Sequence, residues 1–478
     1  MTKRYITRRS FLKKVGAGAA MASIAGKVSS QPRQPNILFF FPDQQRPDWT
    51  GLNKSIPTKT PNIQWLADNG MTFSDAVCPS PLCAPSRSSL ATGKEYERCG
   101  VPTNGHDLPE GELTFYKLLR ESGYHVMGCG KFDLRKNAMD WGRDGKHIVN
   151  GHNYLSEWGF SDGIDNSGKH DGPRAYRNGS VCPYFDYLER NNLAQVHLDD
   201  FDERPYPNFE NTKPTPLPGH AYADNYIAAN GFYLLRQAPE NKPWFLQVNF
   251  NGPHEPMDIT LDMKQRWQHA DFPPPHNNSD FSEKKHVEIR QNYTAMIENI
   301  DQWLGRYIDY LESTGQLENT LIVYSSDHGE MLGDHNRWMK QVPYKQSAGV
   351  PLIAAGPGVK PDTRNGKPVT ILDLASTFLD YGNVNTPSDW DSQSLRSVLS
   401  GASESNREYV KSGLNPWRMV MNEQYKLIVG FDREWDSNKI GPPKKSPVLL
   451  FDRENDPWED HDISDENPRI VNRLRKLI

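Results

Sequence analysis

Residues 36–43 read N-I-L-F-F-F-P-D, and this stretch decides the fold class. The apolar run at 36–41 is continuous and does not alternate with polar residues, which is typical of a strand buried on both faces. Similar runs recur at residues 245–250, 321–324 and 351–355. Segments with helical periodicity, notably 287–311 and 371–379, lie between them. Strands that alternate with helices predict an α/β fold around a mainly parallel sheet.

Three polar residues directly follow predicted strands. Asp43, His254 and Asp327 each lie just past the end of an apolar run. Ligands of open α/β sheets bind outside the carboxyl ends of the strands. We therefore expect these three residues to share one functional site.

The rest of the chain divides by composition. Residues 141–218 are rich in Gly, Asp, Asn, Tyr and Pro and lack apolar periodicity, which predicts an elaborated insertion with little regular structure. Beyond about residue 400, two predicted strand regions and a final helix follow at 419–429, 448–451 and 467–478. The sequence thus predicts a catalytic domain at 31–400 and a small C-terminal α+β subdomain at 401–478.

Residues 1–30 are predicted to be a cleaved export signal. Arg8 and Arg9 precede a mild apolar run, rich in Gly and Ala, that ends near Gly26 and resembles a Tat signal. The alternative is a membrane anchor, but the run is shorter than the ~18 to 20 apolar residues that a span needs. We expect a periplasmic or secreted protein whose mature chain has no membrane span.

Charge and cysteine content narrow the classes of partner. A net charge of -5 over 478 residues provides no general basic field, which argues against a nucleic-acid partner. The cysteine count is five, an odd number in a predicted exported protein, and we interpret Cys83 as the unpaired one. Disulfides and buried thiols both remain open for the others, Cys78, Cys99, Cys129 and Cys182.

Residues 83–94 read C-A-P-S-R-S-S-L-A-T-G-K. This segment resembles the signature of type I sulfatases, in which C-x-P-S-R followed by x-x-L-x-T-G directs an oxidising enzyme to convert the cysteine to formylglycine. The alternative, a buried cysteine in a Pro-Ser turn, would leave the other motifs unexplained. The resemblance implies that Cys83 becomes the nucleophile. It also implies a maturation partner, either a formylglycine-generating enzyme or an anaerobic sulfatase-maturating enzyme.

Two residue pairs resemble the metal ligands of that family. Asp43-Gln44 resembles the first pair, often Asp-Asp, and Asp327-His328 resembles the second, while modified Cys83 is implied as a further ligand. An isolated Asp past a strand is more often a helix cap, but two such pairs accompanying the Cys83 motif favour a metal site. Oxygen-rich ligands favour Ca²⁺ or Mg²⁺, and the imidazole of His328 leaves the metal identity open.

Four residues resemble the cations and the acid of the family. Arg87 follows Cys83 by four residues, so on a helix its side chain can fold back beside residue 83. Lys131 in G-K-F-D-L and Lys340 in W-M-K-Q-V resemble sulfate-binding lysines. His254 in G-P-H-E-P resembles the histidine that protonates the departing alcohol. A single lysine is ordinarily a solvated surface charge, so the lysine assignments depend on the accompanying motifs.

Asp133 departs from the family pattern. The family usually has a histidine two residues after the lysine, where it assists breakdown of the sulfated intermediate. A carboxylate can accept that proton, with a basicity that depends on its burial. The resemblance therefore makes Asp133 a candidate base for the second half-reaction.

The resemblance extends from residue 36 to the closing L-L-F-D-R-E-N-D-P-W-E segment. It implies an alkaline-phosphatase-like α/β domain, a small C-terminal antiparallel sheet and hydrolysis of sulfate esters. One rival is a phosphatase or phosphodiesterase of the same superfamily, although those relatives generally have Thr or Ser as the nucleophile. The other is a non-catalytic protein that binds sulfated glycans, which Gln44 and Asp133 suggest.

The expected substrate is a sulfated carbohydrate. Export is consistent with an algal polysaccharide or its oligosaccharides, such as ulvan or carrageenan. Aromatic residues of the insertion are candidates for stacking on sugar rings, and these are Trp141, Tyr154, Trp158, Tyr176, Tyr184 and Tyr187. The alternative is that these side chains pack the insertion itself.

Overall fold

A nine-stranded sheet organises the residues that the structure describes. The computed structural model describes residues 34–204, 206, 209–267, 270–278, 280–433 and 447–478. Its strands are β1 (Asn36–Asp43), β2 (Gly70–Val77), β3 (His125–Gly130), β4 (Ile148–Val149), β5 (His152–Asn153), β6 (Asp162–Asp165), β7 (Trp244–Pro253), β8 (Thr320–Ser325), β9 (Gly349–Ala355), β10 (Thr363–Asn365), β11 (Val369–Thr370), β12 (Val410–Leu414), β13 (Trp417–Met421), β14 (Tyr425–Val429) and β15 (Val448–Asp452). The predicted export signal lies outside the described residues.

The α-helices complete the architecture. They are α1 (Pro61–Asp68), α2 (Cys83–Thr92), α3 (Phe115–Glu121), α4 (Tyr154–Trp158), α5 (Asp171–Arg177), α6 (Pro183–Arg190), α7 (Ala194–Asp202), α8 (Ala223–Gln237), α9 (Leu261–Gln265), α10 (Glu283–Ser313), α11 (Lys345–Ala348), α12 (Leu374–Tyr381), α13 (Arg396–Leu399) and α14 (Pro468–Arg475). None of the described helices is both long enough and apolar enough to span a membrane.

The main sheet has the order β10-β2-β9-β8-β1-β7-β3-β6, with β11 beside β2. β9 is antiparallel to β2 and β8, and the other pairs are parallel. The prediction of a mainly parallel sheet is confirmed. The four strands that the sequence predicts in the catalytic domain correspond to β1, β7, β8 and β9.

Helices cover both faces of β1, which explains its continuous apolar sequence. Phe39 packs against Phe378 of α12 on one face, with ring centroids 5.3 Å apart. Phe40 packs against Tyr307 of α10 on the other face, at 5.0 Å. Because successive side chains of a strand point to opposite faces, both sets of positions must be apolar.

Strands β8, β1, β7 and β3 are adjacent and parallel, so their carboxyl ends lie at the same edge of the sheet. Asp43 ends β1, and Lys131 and His254 directly follow β3 and β7. Asp327 lies two residues past β8. The topology therefore brings the predicted strand-end residues together.

The insertion at 141–218 contains more regular structure than its sequence predicts. It includes β4 to β6 and α4 to α7, and β6 pairs with β3 in the main sheet. The prediction of little regular structure is therefore wrong. Its helices are only five to nine residues long, too short to produce a clear apolar periodicity.

The aromatic residues of the insertion pack the protein interior. Four of them are buried, namely Trp141, Tyr154, Trp158 and Tyr184. Tyr176 stacks on Phe185 with ring centroids 4.7 Å apart, and Tyr187 packs against Tyr226 at 5.0 Å. The prediction of stacking on sugar rings is therefore wrong for the four buried residues, because contacts inside the protein occupy their rings. For Tyr176 and Tyr187, which are partly buried, it stays a prediction.

Strands β12 to β15 form a separate antiparallel sheet with α14 packed on one face. This confirms the predicted C-terminal strands and final helix. The indole Nε1 of Trp417 donates to the carbonyl of Gln341 at 3.0 Å, and the amide of Gly413 donates to the carbonyl of Pro79 at 3.1 Å. Gln34–Ile478 form one compact unit, so the boundary at residue 400 stays a prediction.

Candidate active site

Cys83 is the first residue of α2 and is fully buried. Its Sγ lies 3.3 Å from Nε2 of His328 and 3.8 Å from Oδ1 of Asp43. Burial opposes the thiolate, yet Lys131, Lys340 and other nearby cations hold the pKa of Cys83 well below its usual value. The helix N-terminus also favours negative charge at this position. The site is therefore built to stabilise an anion at residue 83.

Arg87 lies one helical turn after Cys83 and joins two buried carboxylates. Its Nε donates to Oδ2 of Asp327 at 2.9 Å, and its Nη2 donates to Oδ2 of Asp43 at 3.3 Å. Its Nη1 also donates to the carbonyl of Lys131 at 2.6 Å. Both carboxylates belong to the cluster around Cys83, so the Arg87 side chain lies beside that cluster.

Asp43, Cys83, Asp327 and His328 offer ligand atoms that all lie within 4.8 Å of one another. All four residues are buried. Burial would raise the pKa of Asp43, but Lys131, His254 and Arg87 hold it well below its usual value. Two aspartate side chains with one imidazole form a donor set that suits a divalent cation. The residues present therefore fit the metal that the sequence predicts.

Gln44 has its carboxamide held between charged side chains. Its Nε2 donates to Oε2 of Glu255 at 2.6 Å and also to Oε2 of Glu330, while its Oε1 accepts from Lys340. Ligation of a metal by Gln44 would require its oxygen to share or exchange the contact with Lys340. The metal-ligand role of Gln44 stays a prediction.

Lys131 begins a chain of buried ion pairs. Its ammonium contacts Oδ2 of Asp43 and lies 3.2 Å from Oδ2 of Asp133. The same Asp133 oxygen accepts from Lys136 at 2.9 Å, and Lys136 lies 2.9 Å from Asp171. The second oxygen of Asp133, Oδ1, is buried without a hydrogen-bond partner among the described residues. Asp133 therefore orients two lysines and keeps one acceptor atom free.

Gly130 sets the position of Lys131. It has a φ of +103°, and a Cβ at this position would lie 1.9 Å from the carbonyl oxygen of Asn249 in β7. Only glycine combines this backbone conformation with so close an approach. The G-K pair of the motif thus places the lysine at the strand end.

His254 and Lys340 form a direct contact. Nδ1 of His254 donates to the backbone carbonyl of Glu255 at 2.7 Å, which leaves Nε2 to accept from the Lys340 ammonium at 2.6 Å. Lys169 fixes this loop, since its ammonium donates to the carbonyls of His254 and Pro256 at 2.9 and 3.2 Å. The candidate acid therefore presents one defined ring nitrogen.

A cavity of about 270 Å³ adjoins these groups. Lys131, His254 and Lys340 line it, which brings three of the predicted residues to one concave surface. Its lining also includes residues that the sequence analysis does not identify, namely Asn104, Lys136, Lys169, His170, Arg174, Tyr206 and Glu255. The structure thus couples the buried cluster to an opening of the size of a small ligand.

Of those additional residues, only Glu255 lies in a sequence motif that could have identified it. Glu255 lies inside G-P-H-E-P beside the candidate acid, so its proximity to the site was predictable. Asn104 accepts from the backbone amide of Ala84 at 3.0 Å, next to Cys83, without any motif around it. All five cysteines are buried free thiols, which decides between the two states left open for the other four.

Comparisons with known proteins agree with this geometry. A model of the sulfatase family matches residues 35–384, and a model described as the N-sulphoglucosamine sulphohydrolase C-terminal region matches residues 333–478. An arylsulfatase of Clostridium perfringens is 26% identical and covers 93% of this chain and 94% of its own. An ulvan-active sulfatase of Formosa agariphila is 25% identical and covers 91% of this chain and 78% of its own.

Solved structures share the fold. A phosphonate monoester hydrolase of Agrobacterium radiobacter superposes with a TM-score of 0.74 at 19% identity, covering 93% of this chain and 94% of its own. The sulfatase model spans all the strand-end residues, the Cys83 motif and Lys340. Since it covers well over half of the 478 residues, the chain belongs to the sulfatase family.

Proposed function

We propose that this sulfatase removes sulfate from a carbohydrate through a formylglycine formed from Cys83. The observation that carries the proposal is the position of Cys83, buried at a helix start within the cluster of Asp43, Asp327 and His328. Every group that the chemistry requires is within one connected network: a nucleophile position, a metal-binding cluster, fixed cations and a histidine.

The metal is proposed to be Ca²⁺, with Mg²⁺ as the alternative, held by Asp43, Asp327, His328 and the modified residue 83, with Gln44 as a further candidate. When bound, such a cation supplies positive charge that stabilises the attacking hydroxyl and the sulfuryl oxygens. Arg87 and Lys131 fix the two carboxylates in place through the ion pairs described above.

The first half-reaction assigns roles to the lysines and to His254. One hydroxyl of the hydrated aldehyde gives its proton to Asp43, whose Oδ1 lies 3.8 Å from the Cys83 Sγ, and attacks sulfur, while the bond between sulfur and the alcohol oxygen breaks. Lys131 and Lys340 stabilise charge on the sulfuryl oxygens. The proton for the departing alcohol comes from Nε2 of His254, because Nδ1 is occupied by the Glu255 carbonyl. Nε2 must therefore be protonated and released from its contact with Lys340 before this step.

The second half-reaction requires a base at the remaining hydroxyl of residue 83. Loss of that proton forms the aldehyde carbonyl and breaks the bond between the residue 83 oxygen and sulfur, which releases sulfate. Asp133 is the proposed base. Its buried Oδ1 has no hydrogen-bond partner among the described residues, while Oδ2 is held by Lys131 and Lys136.

A sulfated algal polysaccharide or its oligosaccharides is the proposed substrate. The similarity to an ulvan-active sulfatase supports it, and the lining of the cavity suits a polyanionic sugar. Tyr206, also in the insertion, is 55% exposed at this cavity and is a further candidate for stacking on a sugar ring. Export through a Tat signal and maturation by a formylglycine-forming enzyme complete the proposal.

A substrate panel tests the proposed function. Protein produced with the maturation enzyme is assayed on 4-nitrophenyl sulfate, ulvan and carrageenan oligosaccharides, 4-nitrophenyl phosphate and bis(4-nitrophenyl) phosphate. We expect sulfate release from at least one sugar, and a kcat/KM for 4-nitrophenyl sulfate that exceeds those for both phosphates. Faster phosphate hydrolysis would favour the phosphatase or phosphodiesterase alternative. Binding of sulfated oligosaccharides without any turnover would favour the binding protein.

A further inference from the structure

Two buried polar groups of the cavity lack partners among the described residues. Both ring nitrogens of His170 are buried without a hydrogen bond, and His170 is only 8% exposed. Oε1 of Glu255 is likewise buried and unpaired. Leaving a buried polar group without a hydrogen bond is costly, so a pair of such groups at a cavity is suited to binding a polar ligand.

The two groups lie close enough to bind one ligand atom. Nε2 of His170 lies 3.7 Å from Oε1 of Glu255, beyond hydrogen-bond distance for the pair itself. Burial lowers the pKa of His170 to about 4, so its imidazole is neutral near pH 7 and offers one donor and one acceptor. A hydroxyl group donates one hydrogen bond and accepts others, so it can donate to the carboxylate and accept from the imidazole.

His170 and Glu255 lie near His254, the group proposed to protonate the departing alcohol. The His170 ring lies 5.7 Å from the ring of His254, the proposed acid. His254 and Glu255 are consecutive, so a ligand on Glu255 is next to the group that protonates the leaving oxygen. On a sugar, the hydroxyl on the adjacent carbon is the polar group nearest to the leaving oxygen, so it is the first group of the alcohol that this pair can reach.

Gln44 explains why Oε1 of Glu255 remains free. Its Nε2 holds the other oxygen, Oε2, at 2.6 Å, while Lys340 holds the Gln44 oxygen. An aspartate, the usual family residue at this position, cannot donate that hydrogen bond. The departure at Gln44 thus accompanies a fixed carboxylate at residue 255.

We propose that His170 and Glu255 bind a hydroxyl of the leaving alcohol adjacent to the sulfate ester, with Gln44 as the positioning residue for Glu255. The inference rests on the proposed sulfate ester hydrolysis and narrows its substrate class to sulfates with a free neighbouring hydroxyl. The ring of His170 is packed for this role between Tyr206 and Phe201, at centroid distances of 5.3 and 5.8 Å.

Two aryl sulfates form a matched pair of probes. 4-Nitrocatechol sulfate carries a hydroxyl next to the ester, and 4-nitrophenyl sulfate lacks it. The measured quantity is the ratio of their kcat/KM values, compared between the wild type and each variant, because this comparison cancels the intrinsic reactivity of the two esters. We expect His170→Ala and Glu255→Gln each to lower the ratio about tenfold, as the loss of one hydrogen bond of ~1.4 kcal/mol predicts.

Glu255→Gln retains an oxygen for Gln44 but places an amide donor where Oε1 accepts. His170→Gln keeps hydrogen-bonding capacity and should restore part of the ratio that His170→Ala loses, which a merely structural role would not explain. His461→Ala, at a side chain that is 83% exposed, is the control and should keep the wild-type ratio.

The outcomes separate the inference from the function on which it rests. Hydrolysis of both probes with an unchanged ratio in the His170 and Glu255 variants would overturn the inference alone. Absence of turnover by fully matured wild type on both probes and on the sulfated oligosaccharides would overturn the proposed function as well. His170, His254 and Glu255 also have donor atoms within 4.8 Å of one another, so zinc is added as a further probe. Zinc inhibition that His170→Ala relieves, without any change in the ratio, would make the cluster a metal site and overturn the hydroxyl assignment.

Discussion

For Asp133, the sequence pattern and the structure suggest two different roles. The pattern makes it a candidate base, while the structure shows it as the shared partner of Lys131 and Lys136. A base acts only in the second half-reaction. A residue that orients Lys131 would already affect the first, because Lys131 is proposed to bind the sulfuryl oxygens.

Asp133→Asn separates these roles by the time course of alcohol release. We expect a burst of alcohol followed by turnover slowed about hundredfold, because the substitution removes a general base but retains the side-chain volume. Rapid-quench kinetics measures the burst, and mass spectrometry detects sulfated residue 83. Asp144→Asn, at an exposed carboxylate, is the control. Loss of the burst together with turnover would show that Asp133 acts earlier, by orienting Lys131.

At the scale of elements, His147 anchors the start of the insertion to the main sheet. Its Nδ1 lies 2.6 Å from Asp165 at the end of β6, and its Nε2 lies 2.8 Å from Asp140. Burial lowers the pKa of His147, but the two carboxylates more than offset this and raise it to about 9. Protonated His147 therefore stabilises the folded state.

The stability that protonated His147 contributes is fully present below pH ~6.5, which is the pKa of a histidine in the unfolded chain. It is lost as the pH rises through about 9. We expect the free energy of unfolding to fall by up to ~3 kcal/mol over that range. The fall is smaller by the part that is offset because burial raises the pKa of Asp165. Urea unfolding at pH 6.5 and 9 should show a smaller change for His147→Gln than for the wild type. His461→Gln should behave as the wild type does, and an equal pH dependence in all three would refute the role of His147.

Elements differ in how well the sequence predicts them. β1 was predictable because both of its faces are buried, so its apolar pattern is continuous. α5 to α7 were not, because helices of seven to nine residues carry too little periodicity. Regular structure in the insertion depends on tertiary contacts, such as the pairing of β6 with β3, that no local pattern reveals.

At the scale of the whole molecule, the metal cluster joins distant parts of the chain. Asp43 lies in β1, Cys83 in α2 and Asp327 in the loop after β8, so they meet only in the folded state. A cation bound there should therefore stabilise the fold by about 2.7 kcal/mol at a hundredfold excess over its Kd. We expect chelation to abolish activity and lower Tm, and Ca²⁺ to restore both.

Asp327→Asn is the matched control for this effect. It removes one negative charge from the cluster and should reduce the rise in Tm that Ca²⁺ causes, as measured by calorimetry. Full activity of metal-free protein would remove Asp43, Asp327 and His328 from the proposed metal site.

The fold of the whole molecule also explains why the sequence could not predict some of the site residues. Cys83, Arg87 and His254 lie in motifs whose residue order reflects their chemistry. His170 and Tyr206 enter the cavity from the insertion and become neighbours of His254 only through folding. Sequence patterns therefore predict the candidate reacting centre, but not the residues of the insertion that line the cavity.

In the proposed mechanism, activity depends on conversion of Cys83 to formylglycine. Co-expression with graded amounts of the maturation enzyme gives preparations in which mass spectrometry of the peptide spanning Cys83 measures the fraction of aldehyde. We predict that kcat for 4-nitrophenyl sulfate, per total protein, rises in proportion to that fraction and extrapolates to zero for the pure thiol. Cys83→Ala, which cannot be converted, should be inactive but folded. Undiminished sulfate ester hydrolysis by protein that carries only the Cys83 thiol would contradict the account.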